Sequence, residues 1–340
     1  MTYPLLRPSL VAIVLVALVF TLMGCASEQG ANEEGSPPAS EPAEATLEEE
    51  PAGEVVEIGD APEGIVADPA TGLVAVSFRD PDRLALVEGS SGEVVRTVEL
   101  PESVRHLGIV GPGGPVLVPA EASNTLVQVS LPEGEITSEI PVGTSPHDAA
   151  AAPGGRIFVG NEFGDSVSVI EDDRVVEEID IPQRPGGVAT TDDGLVGIVG
   201  VRGLTLEVFD ASTMDSLGRV DAGEGPTHIV VGPENRFYVT DTSGDAILVY
   251  EARPEPEQID RVSLPGSPYG IAIDPERAHL WVTTEDRVVQ YALEGGVLRE
   301  LTRYPAVREP YTIAVDTASG RVFVAGRADG QLQIIDPGEA

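Results

Sequence analysis

The chain has 340 residues with 38 Gly, 29 Pro and only 4% aromatics, and its formal net charge is -37 at pH 7. It contains no Lys, so all 20 basic residues are Arg, a usage that GC-rich codon bias explains. The acidic surplus argues against nucleic acid and against polybasic docking on anionic lipid, because like charges repel.

The first 24 residues read as a lipoprotein signal peptide. Arg7 is the only charge before Glu28, and an apolar run from Leu10 to Met23 follows it. That run is short for a membrane span and has the length of a signal-peptide core. It ends in Leu22-Met23-Gly24-Cys25, which resembles the bacterial lipobox; Met at the second position departs from the usual small residue. The resemblance implies cleavage before Cys25, acylation of that Cys with palmitate-type chains, and attachment to the extracytoplasmic side of a bacterial cell membrane. Cys25 is the only cysteine, so no intrachain disulfide is available. Residues 25–53 are rich in Glu, Pro, Ala and Ser and hold almost nothing apolar larger than Ala. Such a segment cannot bury enough surface to offset its ordering entropy, and it reads as a disordered tether.

Residues 54–340 read as all-β, with short apolar runs separated by Gly, Pro and Asp turns. One unit recurs, starting near Pro62, Val104, Pro146, Pro185, Pro226, Pro268 and Pro310, at spacings of 39 to 42 residues. This is the length of a four-stranded propeller blade, and it predicts a seven-bladed β-propeller. The seventh repeat has three strands before the chain ends at Ala340. A spare strand, residues 54–58, precedes the first repeat and is expected to pair with Gln331 to Ile335 and close the ring. A closed ring of this kind is expected to be monomeric.

The forms RIFVGNEFGDSVSVI, RFYVTDTSGDAILVY and RVFVAGRADGQLQII resemble the YVTN (YncE-like) repeat propellers, and SPYGIAIDPERAHLWVTTEDRVVQY resembles the related NHL repeat. The resemblance covers residues 54–340, with the second and fourth repeats departing most. It implies a binding or scaffold module. Lactonase-like and streptogramin lyase-like enzymes share this fold class, the latter with a divalent metal, so an enzyme is the alternative reading.

No Gly-x-Ser-x-Gly, His-Glu-x-x-His, Walker or Cys-x-x-Cys motif is present. Propeller geometry gathers the residues that enter each innermost strand, and the loops after each second strand, around one channel mouth. Candidate binding residues there are Arg79, Arg105, His106, His147, Asp148, Glu162, Thr227, His228, Tyr269, Tyr311 and Arg327. Asp241, Asp245 and Glu285 fall on the same face. Three of the four histidines are in this set. No cofactor is expected. A three-His metal site is disfavoured, because His228 lies two blades beyond His147 and ligand nitrogens must come within about 2.1 Å of one ion. On an enzymatic reading, His147 or His228 would be a general base with Glu162 or Asp148 beside it.

Overall fold

A computed structural model describes Met1 and residues 40–42, 46–181, 183–295 and 297–338. The chain divides into two units, Met1–Ser36 and Pro37–Ala340. Of the first, only Met1 is among the described residues; the rest of the signal segment and Cys25 lie outside them. Among the described residues no helix is long and apolar enough to cross a membrane.

The second unit is a seven-bladed β-propeller. The described residues form seven four-stranded antiparallel sheets, six of which are continuous in sequence. Blade five shows the pattern: Pro226–Gly232 innermost, then Arg236–Asp241, Ala246–Glu251 and Glu257–Ser263 outermost. Its second and third strands are buried, apart from an intermediate Arg236 and an exposed Glu251. Side chains of these strands meet a neighbouring blade on either face, so the alternation of a half-solvated strand is absent. The outermost strand is mostly exposed and alternates, as a one-sided edge requires.

The core is distributed. Seven apolar clusters are present among the described residues, and each joins two neighbouring blades. Trp281 of blade six packs with Ile313 and Val324 of blade seven, and Phe323 of blade seven packs with Val76 and Phe78 of blade one. A blade therefore buries its faces only by having both neighbours.

The seventh blade closes the ring as expected. Its strands Pro310–Val315, Val322–Gly326 and Gln331–Ile335 are completed by Glu54–Glu57 as the outermost strand. Glu54 pairs with Ile334 and Glu57 with Gln331. The strand ends at Glu57, one residue earlier than expected, but the N–H of Ile58 still donates to the Gly330 carbonyl at 3.0 Å. Buried Gln333 reinforces the seam: its amide donates to the carbonyls of Ala52 and Pro305, and its oxygen accepts from Val307 N–H.

Candidate functional site at the channel mouth

The entry to each innermost strand is irregular. A register shift lies between residues 62 and 65, 146 and 148, 185 and 187, 226 and 229, and 310 and 312. The residues caught in these bulges include Glu63, His147, Gly186, Thr227, His228 and Tyr311. A bulge leaves its extra residue outside the ladder and re-aims the side chain, and here it builds the mouth. Blades two and six begin their innermost strands late, at Gly108 and Ile271, so Arg105, His106 and Tyr269 sit on the irregular approach.

The aromatic side chains converge in one row. His106 meets His147 and His228 at ring-centroid distances of 4.6 and 4.5 Å, and His228 Nε2 lies 3.2 Å from His106 Nδ1. His228 stacks edge-on against Tyr269 at 4.5 Å, and Tyr269 lies against Tyr311 at 4.8 Å. The Tyr269 hydroxyl donates to that of Tyr311 at 3.1 Å. His228 thus meets His106 although it lies two blades beyond His147. The arc is spanned because His147 and His228 reach inward from bulges and His106 from the irregular approach to blade two.

The row ends in carboxylates. His147 Nδ1 is 3.0 Å from Glu121 and 3.3 Å from Glu162, and the Arg105 Nε is 3.4 Å from Glu121. Burial pulls the His147 pKa down, but the hydrogen bond to Glu121 and the charges of both carboxylates outweigh it and raise the value above normal. His106 and His228 behave oppositely. Burial, reinforced by the neighbouring imidazoles, holds His106 well below the ordinary range. Burial and the charge of His147 push His228 down to about 3. Two neutral imidazoles thus stand beside one that favours its proton. Between the neutral pair, one ring nitrogen donates and the other accepts. Nδ1 of His228 is buried without a well-formed hydrogen bond. Burial also raises the pKa values of Tyr269 and Tyr311, so both hydroxyls keep their protons at neutral pH.

The remaining candidates divide by role. Buried Glu63 accepts from Arg79 at 2.9 Å and forms an ion pair with Arg327 at 3.3 Å, and the Arg327 guanidinium lies over the Tyr311 ring. This triad braces the Tyr311 side of the mouth. The Thr227 hydroxyl is shared with Thr240 and Thr242, which ties the bulge of blade five to its second strand. Asp148 accepts from Ala149 N–H and, across to blade four, Val188 N–H, both at 2.8 Å. It lines the channel below and bridges two blades. Asp241 and Asp245 serve backbone geometry. Asp241 accepts from Glu224, Gly225 and Gly244 N–H and from Arg261, and Asp245 accepts from Gly266 and Ser267 N–H.

Two residues at the site were absent from the candidate set. Glu121 follows the second strand of blade two, the position that Glu162 holds in blade three. The correspondence is readable once Val116–Ala120 is aligned, but that blade departs most from the repeat. The second is Glu41, from the stretch read as a tether. Its carboxylate accepts from Arg105 Nη1 at 3.3 Å and from the Tyr311 hydroxyl at 2.9 Å. Ser40 is hydrogen-bonded to Ser243 of blade five, and Glu49 pairs with Arg287 of blade six. Sequence composition carries no signal for these contacts.

Below the mouth runs an apolar channel of about 470 Å³ lined by Ile65, Leu107, Ala149, Ile271 and Ile313 among others. His106 and His228 line both this channel and the small mouth cavity above it. They form the floor of one and the roof of the other. Blade four presents no side chain at its bulge, where a Cβ on Gly186 would meet Val201 Cγ1 at 2.6 Å. Among the described residues no three His, Cys, Asp or Glu side chains are disposed to hold an ion; His147 Nδ1 faces Glu121 and His106 Nδ1 faces His228.

No family model matches the chain, and no curated protein matches it. Solved structures do. A chain of hydrazine synthase from Kuenenia stuttgartiensis is 16% identical with a TM-score of 0.70, covering 83% of this chain and 97% of that one. Virginiamycin B lyase from Staphylococcus aureus is 16% identical with a TM-score of 0.67, covering 82% of this chain and 97% of that one. A chain of a mitotic checkpoint complex is 13% identical with a TM-score of 0.72, covering 91% and 98%. At these identities the likeness establishes the propeller fold.

Proposed function

We propose that this is a lipid-anchored, extracytoplasmic propeller of the YVTN (YncE-like) kind that binds a small molecule or a protein segment at the channel mouth. The observation that carries the reading is the continuous row His147, His106, His228, Tyr269 and Tyr311, contributed by five blades and flanked by Arg105. Solvated loop residues have no physical reason to converge. Buried polar groups gathered in a concavity are costly to desolvate, and a ligand can use them.

The anchor is assigned to Cys25, with the acidic stretch behind it holding the domain away from the lipid. Replacing Cys25 with Ala should move the protein from the membrane to the soluble fraction; unchanged membrane retention would contradict the anchor. The binding reading is tested by thermal-shift screening of the full chain against peptides, sugars, lactones and aromatic acids. A ligand that binds only the folded state must raise its stability by mass action. The expected hit loses its effect in Arg105→Gln and His147→Gln. Hits indifferent to both substitutions would place binding elsewhere.

An enzymatic reading rests on one further observation, the pairing of His147 with two carboxylates. That arrangement strengthens the imidazole as a base for removing a proton from a substrate held over the mouth. No step runs through a metal. On this reading, His147→Gln abolishes turnover of a ligand that still binds; loss of binding with turnover per bound ligand unchanged would exclude it.

A further inference from the structure

Glu41 is held in a way that its surroundings do not require. Its carboxylate is the only group in contact with both the Arg105 guanidinium and the Tyr311 hydroxyl among the hydrogen bonds described. Both donors have a partner besides it. Arg105 Nε forms an ion pair with Glu121 at 3.4 Å, and Tyr311 is buried between Tyr269 and the Arg327 guanidinium. The Glu41 side chain, by contrast, remains half exposed to water. The described residues 40–42 have no regular secondary structure, and among the described residues nearby the stretch is pinned by the hydroxyl pair of Ser40 and Ser243. A preorganised pair of donors meeting a loosely held acceptor is the arrangement of a binding site with an exchangeable occupant. The guanidinium supplies charge, and the tyrosine hydroxyl supplies direction.

We propose that the mouth is a carboxylate-binding site and that Glu41 is its built-in occupant, standing where the carboxylate of a ligand would lie. The inference rests on the mouth being the ligand site and names the class of ligand. That ligand is a small organic acid with an aromatic or aliphatic body. Its carboxylate takes the Arg105 and Tyr311 donors, and its body lies on the rings of Tyr269, His228 and His106 in place of the Ser40–Glu41 segment. The His106–His228 contact closes the floor, so the body stays above the apolar channel. Under these conditions a ligand must displace Glu41 before it binds, and affinity is lowered by the fraction of time the site is taken.

The test uses the full chain, with benzoate and hexanoate as probes and their amides as controls, read by calorimetry and thermal shift. Glu41→Ala should bind benzoate or hexanoate at least tenfold more tightly than the wild type and should leave the amides unbound. The gain should vanish in Glu41→Ala/Arg105→Gln and in Glu41→Ala/Tyr311→Phe, the second of which keeps the ring and its packing. Equal affinity of wild type and Glu41→Ala would overturn the proposal. So would amides binding as well as acids, a gain that survives both double variants, or no binding of either acid to Glu41→Ala. A neutral ligand that binds the mouth and loses its effect in His147→Gln would leave the binding reading standing while ending the carboxylate assignment.

Discussion

At the scale of single residues, the mouth is governed by burial acting on titratable groups. His228 is held down to about 3 and His106 well below its ordinary range. A group whose folded pKa is depressed contributes stability that is fully present above its unfolded pKa, here about 6.5. That stability is lost as the pH falls from there toward the folded value. His147, with its raised pKa, works in the opposite direction. Two depressed groups outweigh one raised group, so acidification from pH 7 to 5 should lower the melting temperature. His228→Asn should show a shallower fall; an identical slope in variant and wild type would contradict the assignment. Asp241 supplies a second case. Its fully buried carboxylate accepts three backbone N–H groups and Arg261. Asp241→Ala should cost about 2–4 kcal/mol in denaturant unfolding, because orphaned donors are expensive to bury. A loss within experimental error would show that water replaces the carboxylate.

At the scale of elements, the N-terminal strand is the piece that completes a blade. Removing residues 1–58 takes away Glu54–Glu57 and the Ile58 contact, and leaves the Gln331–Ile335 edge unpaired. It also uncovers the apolar side chains of Val55 and Val56, which pack on the two clusters flanking blade seven. That truncation should lower the melting temperature by at least 10 °C, whereas removing residues 28–39 should not change it measurably. Equal melting temperatures for the two truncations would mean that the strand is an ornament of the ring. This closure was legible in the sequence because strand count is arithmetic: six complete repeats, one short repeat and one spare strand at the other end. The mouth was legible only in outline. Repeat alignment identified which positions face it, since His147, Tyr311 and Thr227 occupy equivalent places. It could not show that a bulge at each entry turns those side chains into mutual contact, because a bulge is a backbone event without a residue signature here. Nor could it separate Asp241, whose oxygens are occupied by backbone, from Glu162, whose carboxylate meets His147. Both are acidic residues at the end of a second strand, Asp241 as its last residue and Glu162 just after it.

At the scale of the whole molecule, stability and function occupy different parts of one ring. Among the described residues seven inter-blade clusters hold the ring together, and none of them lies within a single blade. Because every blade depends on both neighbours, the entries to the innermost strands are held at fixed separations. Five blades can then bring five side chains into one row without any of them belonging to the seven inter-blade clusters. Glu41 adds a sixth participant from outside the blades, which composition alone assigns to a spacer. The central claim is that the mouth is a built, desolvated cluster in place of a set of independent loop side chains. With only four histidines in the chain, imidazole NMR of the full-length protein tests it directly. As pH falls from 8 to 4.5, His147 should titrate above 6.5, while His106 and His228 stay neutral and their signals respond only to the charge appearing on His147. If all three mouth histidines titrate independently near pH 6.5, the cluster does not exist in solution and the account fails.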